Sequence, residues 1–185
     1  GGLLDIEIHQ RYNENNLIYL SFSDFLVNQK NKTYTSIIRG VLKNNNLTQQ
    51  KTIYKAPDSL YANEKYHYGT RIIFGNDGYL FFAIGDRGQR EKAQLLNYPN
   101  GKIHRLHDDG SIPQDNPFVN NEMALPSIWS YGHRNPQGLV IHPHTGEIWE
   151  AEHGPMGGDE LNVIFPGNNY GWPIITYGKN YDGSI

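Results

Sequence analysis

Two stretches of this chain share one design, and that repetition restricts the fold more than any other feature. Arg71–Phe74 leads into Gly75-Asn76-Asp77-Gly78 and then Tyr79–Ile84, while Leu139–His142 leads into Pro143-His144-Thr145-Gly146 and then Glu147–Glu152. They align without a gap, Gly78 falling on Gly146. Each reads as strand, tight four-residue turn and strand, the pattern of hairpins closed by Asn/Asp-Gly turns. Leu17–Phe22, after Asn15-Asn16, has the same apolar and aromatic character. Thr33–Leu42, Lys51–Lys55 and Lys102–Leu106, the last ahead of Asp108-Asp109-Gly110, are further candidate strands. Strand–turn–strand units recurring at tens of residues predict the blades of a β-propeller, an all-β fold. A blade takes about 40–60 residues, so the chain supplies about three. A β-sandwich with coincidentally similar hairpins is the alternative.

Composition agrees with short strands. The chain holds 20 Gly, 10 Pro and 13 Tyr, which leaves little room for long helices. The longest stretch without a strand pattern is Gly88–Gly101, where residues 89–96 predict a short helix before Pro99. No low-complexity linker interrupts the sequence, so residues 1–185 read as a single domain. The chain opens on Gly1-Gly2-Leu3-Leu4-Asp5 without an initiator methionine and stops just after Asp182-Gly183-Ser184. That suggests an internal segment of a longer protein, a propeller truncated at both ends.

With 16 basic and 19 acidic side chains the net charge is −3, and no basic stripe suited to nucleic acid is visible. The absence of cysteine excludes disulfides, thiolate metal sites and cysteine nucleophiles. No apolar run approaches the ~18 residues of a membrane span.

Four clusters carry side chains suited to chemistry. His67, in Tyr66-His67-Tyr68-Gly69-Thr70-Arg71, precedes a strand of a repeat unit, where loops face the end of a propeller that binds ligands. A neutral imidazole there can accept a hydroxyl proton, although with eight histidines a packing role is the bland alternative. Arg134-Asn135 also precedes a strand, and Pro136 biases Asn135 toward extended backbone. An arginine fork suits carboxylates or quinone oxygens; a structural Asn-Pro turn is the alternative. Glu152–Glu160 is a Gly-rich loop with three carboxylates, able to offer oxygen ligands to a hard cation or simply to form an acidic turn. Asn168–Pro173, with Tyr177 and Tyr181 beyond, is an aromatic cluster suited to sugars, to planar cofactors or to filling space between blades.

In order, these phrases resemble the soluble quinoprotein glucose and aldose sugar dehydrogenases. The resemblance rests on Gly-Leu-Leu-Asp (2–5), His67-x-x-x-Arg71, Ile-Gly-Asp-Arg-Gly (84–88) and Asp-Gly-Ser-Ile-Pro-x-Asp-Asn-Pro (109–117). It continues through Gly-His-Arg-Asn-Pro-Gln-Gly-Leu (132–139), Glu-His-Gly-Pro (152–155), Asp-Glu-Leu-Asn (159–162) and Asn-Tyr-Gly-Trp-Pro (169–173). Gly178-Lys179-Asn180-Tyr181 is closer to the aldose sugar branch.

The resemblance implies a six-bladed propeller that binds pyrroloquinoline quinone (PQQ) and Ca²⁺ in a periplasmic or secreted enzyme. It implies that His67 takes the proton of the sugar anomeric hydroxyl while hydride passes from C1 to the quinone, giving a lactone. Arg134 and Asn135 would contact PQQ, with Arg134 stabilising developing negative charge, and Tyr181 would line the PQQ pocket. The carbonyls of Gly154 and Pro155 match those holding the PQQ-linked Ca²⁺, and Glu160 with the Tyr170 carbonyl matches a second, structural calcium site. The implied partners are a small sugar substrate and an external electron acceptor. Where the glucose dehydrogenases place an aspartate before the base, this chain has Tyr66, which puts the sugar contacts in question. The other readings are a sorbosone-type dehydrogenase, a propeller hydrolase, and a non-catalytic calcium-binding propeller that binds carbohydrate or protein.

Overall fold

A computed structural model describes residues 2–184. Among the described residues eleven strands form three antiparallel sheets in chain order. The first contains β1 (Leu3–Ile8), β2 (Leu17–Leu26), β3 (Gln29–Lys43) and β4 (Asn46–Lys55). The second contains β5 (Ile72–Phe74), β6 (Leu80–Ile84), β7 (Lys102–Leu106) and β8 (Ile128–Tyr131), and the third β9 (Pro136–Ile141), β10 (Ile148–Glu152) and β11 (Glu160–Ile164). Each sheet is a simple meander, as a propeller blade requires.

Turn chemistry sets the hairpins. Gly78 and Gly146 both take positive φ, at 83° and 75°, where a side chain would be strained. In the first turn the Gly75 N–H donates to Tyr79 O. Pro143 has no N–H, so the second loop closes one residue earlier, with the His142 N–H donating to Glu147 O. Between β3 and β4, Asn44 and Asn45 sit at φ 49° and 60°, the left-handed pair that matches strand twist in a two-residue hairpin.

The middle sheet explains the core. Every residue of β6 is buried, because both of its faces are covered. Leu80, Phe82 and Ile84 pack with Tyr19, Tyr34 and Ile37 of the first sheet. The alternate residues Phe81 and Ala83 pack with Leu139, Ile148 and Ile164 of the third. A continuous apolar run is what a strand covered on both sides needs. Val140 and Leu161, on the outward face of the third sheet, stay exposed.

Arg87 staples the first two sheets. Its guanidinium is fully buried over the Tyr68 ring at 3.6 Å and donates to the carbonyls of Thr33, Glu64 and Tyr66.

Two sequence expectations need correction. The short helix expected over 89–96 is a 3₁₀ segment, Arg90–Gln94, which follows the positive-φ pair Arg87-Gly88. The longest strand-free stretch is 107–127 rather than 88–101; it is held by turns such as the one in which Asn116 pairs with Arg105. No helix among the described residues is long and apolar enough to cross a membrane.

Replacing Phe82 by alanine removes the ring that β6 inserts into the first sheet, and is expected to cost about 3–5 kcal/mol. Urea unfolding midpoints at constant m-value check this.

Candidate active site

The connections β4–β5, β6–β7, β8–β9 and β10–β11 all lie at one end of the three sheets, as antiparallel order dictates. Together with the segment after β11 they line an open cavity of about 300 Å³, walled by Tyr66, His67, Asp86, Gly88, Arg90, Arg134, Pro155, Trp172, Asn180 and Tyr181. The fold therefore brings His67, Arg134, Pro155 and Tyr181, distant in sequence, to one wall.

His67 is held at φ 53°, an uncommon conformation for a residue with a side chain. Its position follows from close backbone approach: a Cβ on Gly85 would lie 2.5 Å from His67 O. His67 Nδ1 lies 2.7 Å from Asp86 Oδ1. Asp86 is 1% exposed and also accepts the Gly88 N–H on Oδ1 at 2.8 Å and the Trp172 Nε1–H on Oδ2 at 2.8 Å. A carboxylate collecting donors requires the proton on His67 Nδ1, which leaves the Nε2 lone pair free. Among the described residues Nε2 has no protein partner. Tyr66 is half-exposed, its ring edge-on to the imidazole at 4.8 Å. A carboxylate thus reaches the histidine from Asp86, in the β6–β7 connection.

A second carboxylate organises the neighbouring loop. Glu152, at the end of β10, accepts the main-chain N–H of Arg134 at 2.5 Å and of Asn135 at 3.2 Å on Oε2, while His133 Nδ1 lies 3.2 Å from Oε1. The Arg134 carbonyl accepts the Asp86 N–H at 2.7 Å, so the two carboxylates are joined through one backbone link. Arg134 donates from Nη1 to His153 O at 2.9 Å, and its Nε is buried without a partner. Asn135 lies off the cavity wall; its Oδ1 accepts the Gly69 N–H at 3.2 Å, which leaves its amide N–H groups unused.

The loop after β10 offers carbonyl oxygens. Gly154 can only be glycine, since a Cβ would meet Gly158 O at 1.7 Å. Pro155 O accepts the Gly158 N–H, whereas the Gly154 carbonyl accepts no hydrogen bond among the described residues. Glu160 and Tyr170 meet elsewhere, on a separate cavity of about 450 Å³ shared with Asp159, Asn162 and Thr176. The Tyr170 carbonyl likewise accepts no hydrogen bond among the described residues. The free Gly154 and Tyr170 carbonyls, each with a carboxylate near by, are the kind of oxygen donor a hard cation takes, and the Pro155 carbonyl keeps one lone pair beyond its Gly158 bond.

Beneath the second set lies a buried acidic group. His133, Glu150 and Glu152 bring potential ligand atoms within 4.8 Å of one another. Burial, then the Glu152 charge, push the Glu150 carboxyl up to about 9; its Oε2 accepts from Asn162 and its Oε1 is unpartnered. Burial also raises Glu160. Asp86 and Arg90 were not singled out from the sequence: Asp86 appeared only within the phrase at 84–88 and Arg90 only within the short helix expected over 89–96. Glu152 and Trp172 were read as members of the acidic loop and the aromatic cluster, without these roles.

The three blades, with a His–Asp pair and an arginine at one rim, define part of a propeller with a candidate site at the loop end. The sequence profile described as Glucose / Sorbosone dehydrogenase matches residues 1–185, and the chain belongs to that family. It is 42% identical over 185 residues to aldose sugar dehydrogenase YliI of Escherichia coli K12, covering 99% of this chain and 49% of that protein. The crystal structure of the soluble aldose sugar dehydrogenase from Escherichia coli in the apo-form superposes with TM-score 0.93 at 40% identity, covering 100% of this chain and 52% of that one. A PQQ-bound aldose sugar dehydrogenase from Streptomyces coelicolor gives TM-score 0.81 at 30% identity, over 95% of this chain and 49% of that one. The chain spans about half the length of these relatives.

The Glu150 environment has a pH signature. A carboxyl whose folded pKa of about 9 exceeds its ordinary 4.5 binds in the folded state a proton that the unfolded chain lacks. Stability from this group is complete below pH 4.5 and is lost as pH rises toward about 9. In calcium-free buffer, Glu150→Gln is expected to flatten that decline and gain at least about 1 kcal/mol near pH 8.5. Thermal melts of both proteins across the range check it.

Proposed function

We propose that the protein of which this chain is part oxidises aldose sugars at C1 to lactones, using PQQ and calcium. The observation that carries the proposal is the His67–Asp86 pair, with its free Nε2, on the same cavity wall as Arg134. Bound PQQ supplies the two-electron oxidant that takes up the hydride from C1.

The chain's own residues do the rest. His67 Nε2 accepts the proton of the anomeric hydroxyl as hydride leaves C1. Asp86 holds the tautomer and balances the imidazolium that forms. Arg134 places fixed positive charge where negative charge develops, held in aim by its bond to His153 O. Tyr181 lines the same cavity and offers a face to a planar ring. Asn135, set back from the wall, can donate its free amide N–H to the cofactor. The carbonyls of Gly154 and Pro155 would hold the calcium ion next to the cofactor; Glu160 and the Tyr170 carbonyl would hold a second ion that joins β11 to the following loop. The sugar and an external electron acceptor are the implied partners, and a periplasmic or secreted setting suits a PQQ enzyme of this family. A non-catalytic binding propeller has no use for an oriented base beside an arginine.

The full-length protein, reconstituted with PQQ and Ca²⁺, is expected to show dye-linked aldose oxidation. His67→Ala and Asp86→Asn should each lower kcat at least about 100-fold. Turnover that survives His67→Ala would refute the assigned base. Stripping calcium with a chelator is expected to abolish PQQ binding, read by the quinone absorbance of the bound fraction, and re-adding Ca²⁺ to restore it.

A further inference from the structure

We infer that Arg90 is a carboxylate-binding residue of the His67 cavity, an inference that rests on the proposed function. The cavity wall carries two guanidinium groups, Arg90 and Arg134, and a single carboxylate, Asp86. That carboxylate is already engaged by His67, Gly88 and Trp172. Neither arginine contacts it directly: their hydrogen bonds run to neutral oxygens and both lie over Trp172.

Arg90 stacks on the Trp172 ring at 4.8 Å, and Arg134 lies 5.3 Å from the same ring. Arg90 Nη1 donates to Asn180 Oδ1 at 3.2 Å. The nearest acid oxygen, on Glu91, is 3.8 Å from Arg90 Nε, beyond hydrogen-bond range, and Glu91 faces solvent. Arg90 Nε is buried and unpartnered, as Arg134 Nε is. Stacking and the Asn180 contact fix the plane of the guanidinium, while most of its five N–H groups stay unused. A planar fork laid on an aromatic face, with donors to spare and only the solvent-exposed Glu91 in ion-pair range, is suited to bidentate capture of a carboxylate.

Two ligands of this site can bring a carboxylate: the cofactor, through its ring carboxylates, or an acidic aldose such as a uronic acid. One set of titrations on the full-length protein separates them. In the apo protein with Ca²⁺, PQQ affinity is measured by absorbance titration for wild type, Arg90→Gln and Arg90→Lys. Affinities for D-glucuronate and D-glucose are measured by calorimetry on the same three proteins.

If the cofactor is the source, Arg90→Gln weakens PQQ at least tenfold, and Arg90→Lys falls between. If the sugar is the source, the wild type prefers glucuronate to glucose and Arg90→Gln cuts that preference at least tenfold. A change in neither quantity overturns the inference. Should Arg90→Gln fail to fold by circular dichroism, Arg90→Lys carries both comparisons, because it keeps the charge but loses the fork. A wild type that binds no PQQ at all refutes the parent reading, whereas the glucuronate preference still decides the role of Arg90.

Discussion

The loop end of this protein is organised by one buried carboxylate, that of Asp86. Its side chain takes hydrogen bonds from three parts of the chain: His67 before β5, Gly88 in its own turn and Trp172 after β11. Its main-chain N–H reaches Arg134 O and its carbonyl accepts the Asn100 amide. An anion so deep in the protein is tolerable only when donors surround it, and each donor left without it would carry a desolvation cost of about 1–3 kcal/mol. The same bonds that make the carboxylate tolerable fix the imidazole tautomer, the indole and the Arg134 backbone relative to one another. Stability and preorganisation are therefore the same set of contacts here.

Glu152 extends that logic into the third sheet. It gathers two consecutive main-chain N–H groups and the His133 ring, so the segment 133–135 cannot shift without uncovering a buried charge. Its neighbour Glu150 is not so well served: one oxygen has no partner and the carboxyl is held protonated. The contrast is electrostatic. Two carboxylates close together in a buried region cannot both ionise cheaply, and the one with more donors keeps the charge. A cation held by Glu160 and the Tyr170 carbonyl would ease the repulsion among these acids, which gives the calcium proposal a physical motive within this chain.

Much of the fold was legible because blade strands obey local rules. The run Tyr79–Ile84 and its repeat at Glu147–Glu152 could be read directly, since turn glycines and apolar runs are local signals. β1, β8 and β11 were not, for a physical reason. Leu3–Ile8 mixes acids with exposed apolar residues, and Ile128–Tyr131 is only four residues long. Each is defined by its partner strand rather than by its own pattern. The site was half legible. His67 and Arg134 stand out by residue type, but Asp86 appears only inside the phrase at 84–88, and Trp172 within an aromatic cluster suited to ligands or to packing. Their roles depend on an 86-residue separation that closes only in the folded chain.

Trp172 shows why that half could not be read. Its indole N–H satisfies Asp86, and the same ring carries Arg134 on the cavity side and Arg90 beside it. One residue thereby connects the acid that holds His67 with both arginines of the cavity wall. The packing reading of this tryptophan, that it fills space between blades, is correct as far as burial goes, for it is 7% exposed. Burial is also what makes it useful. A desolvated ring face strengthens its attraction for each guanidinium, and a fixed indole N–H gives Asp86 a donor that water could not supply as rigidly. A buried packing residue thus fixes the geometry of the cavity wall beside it.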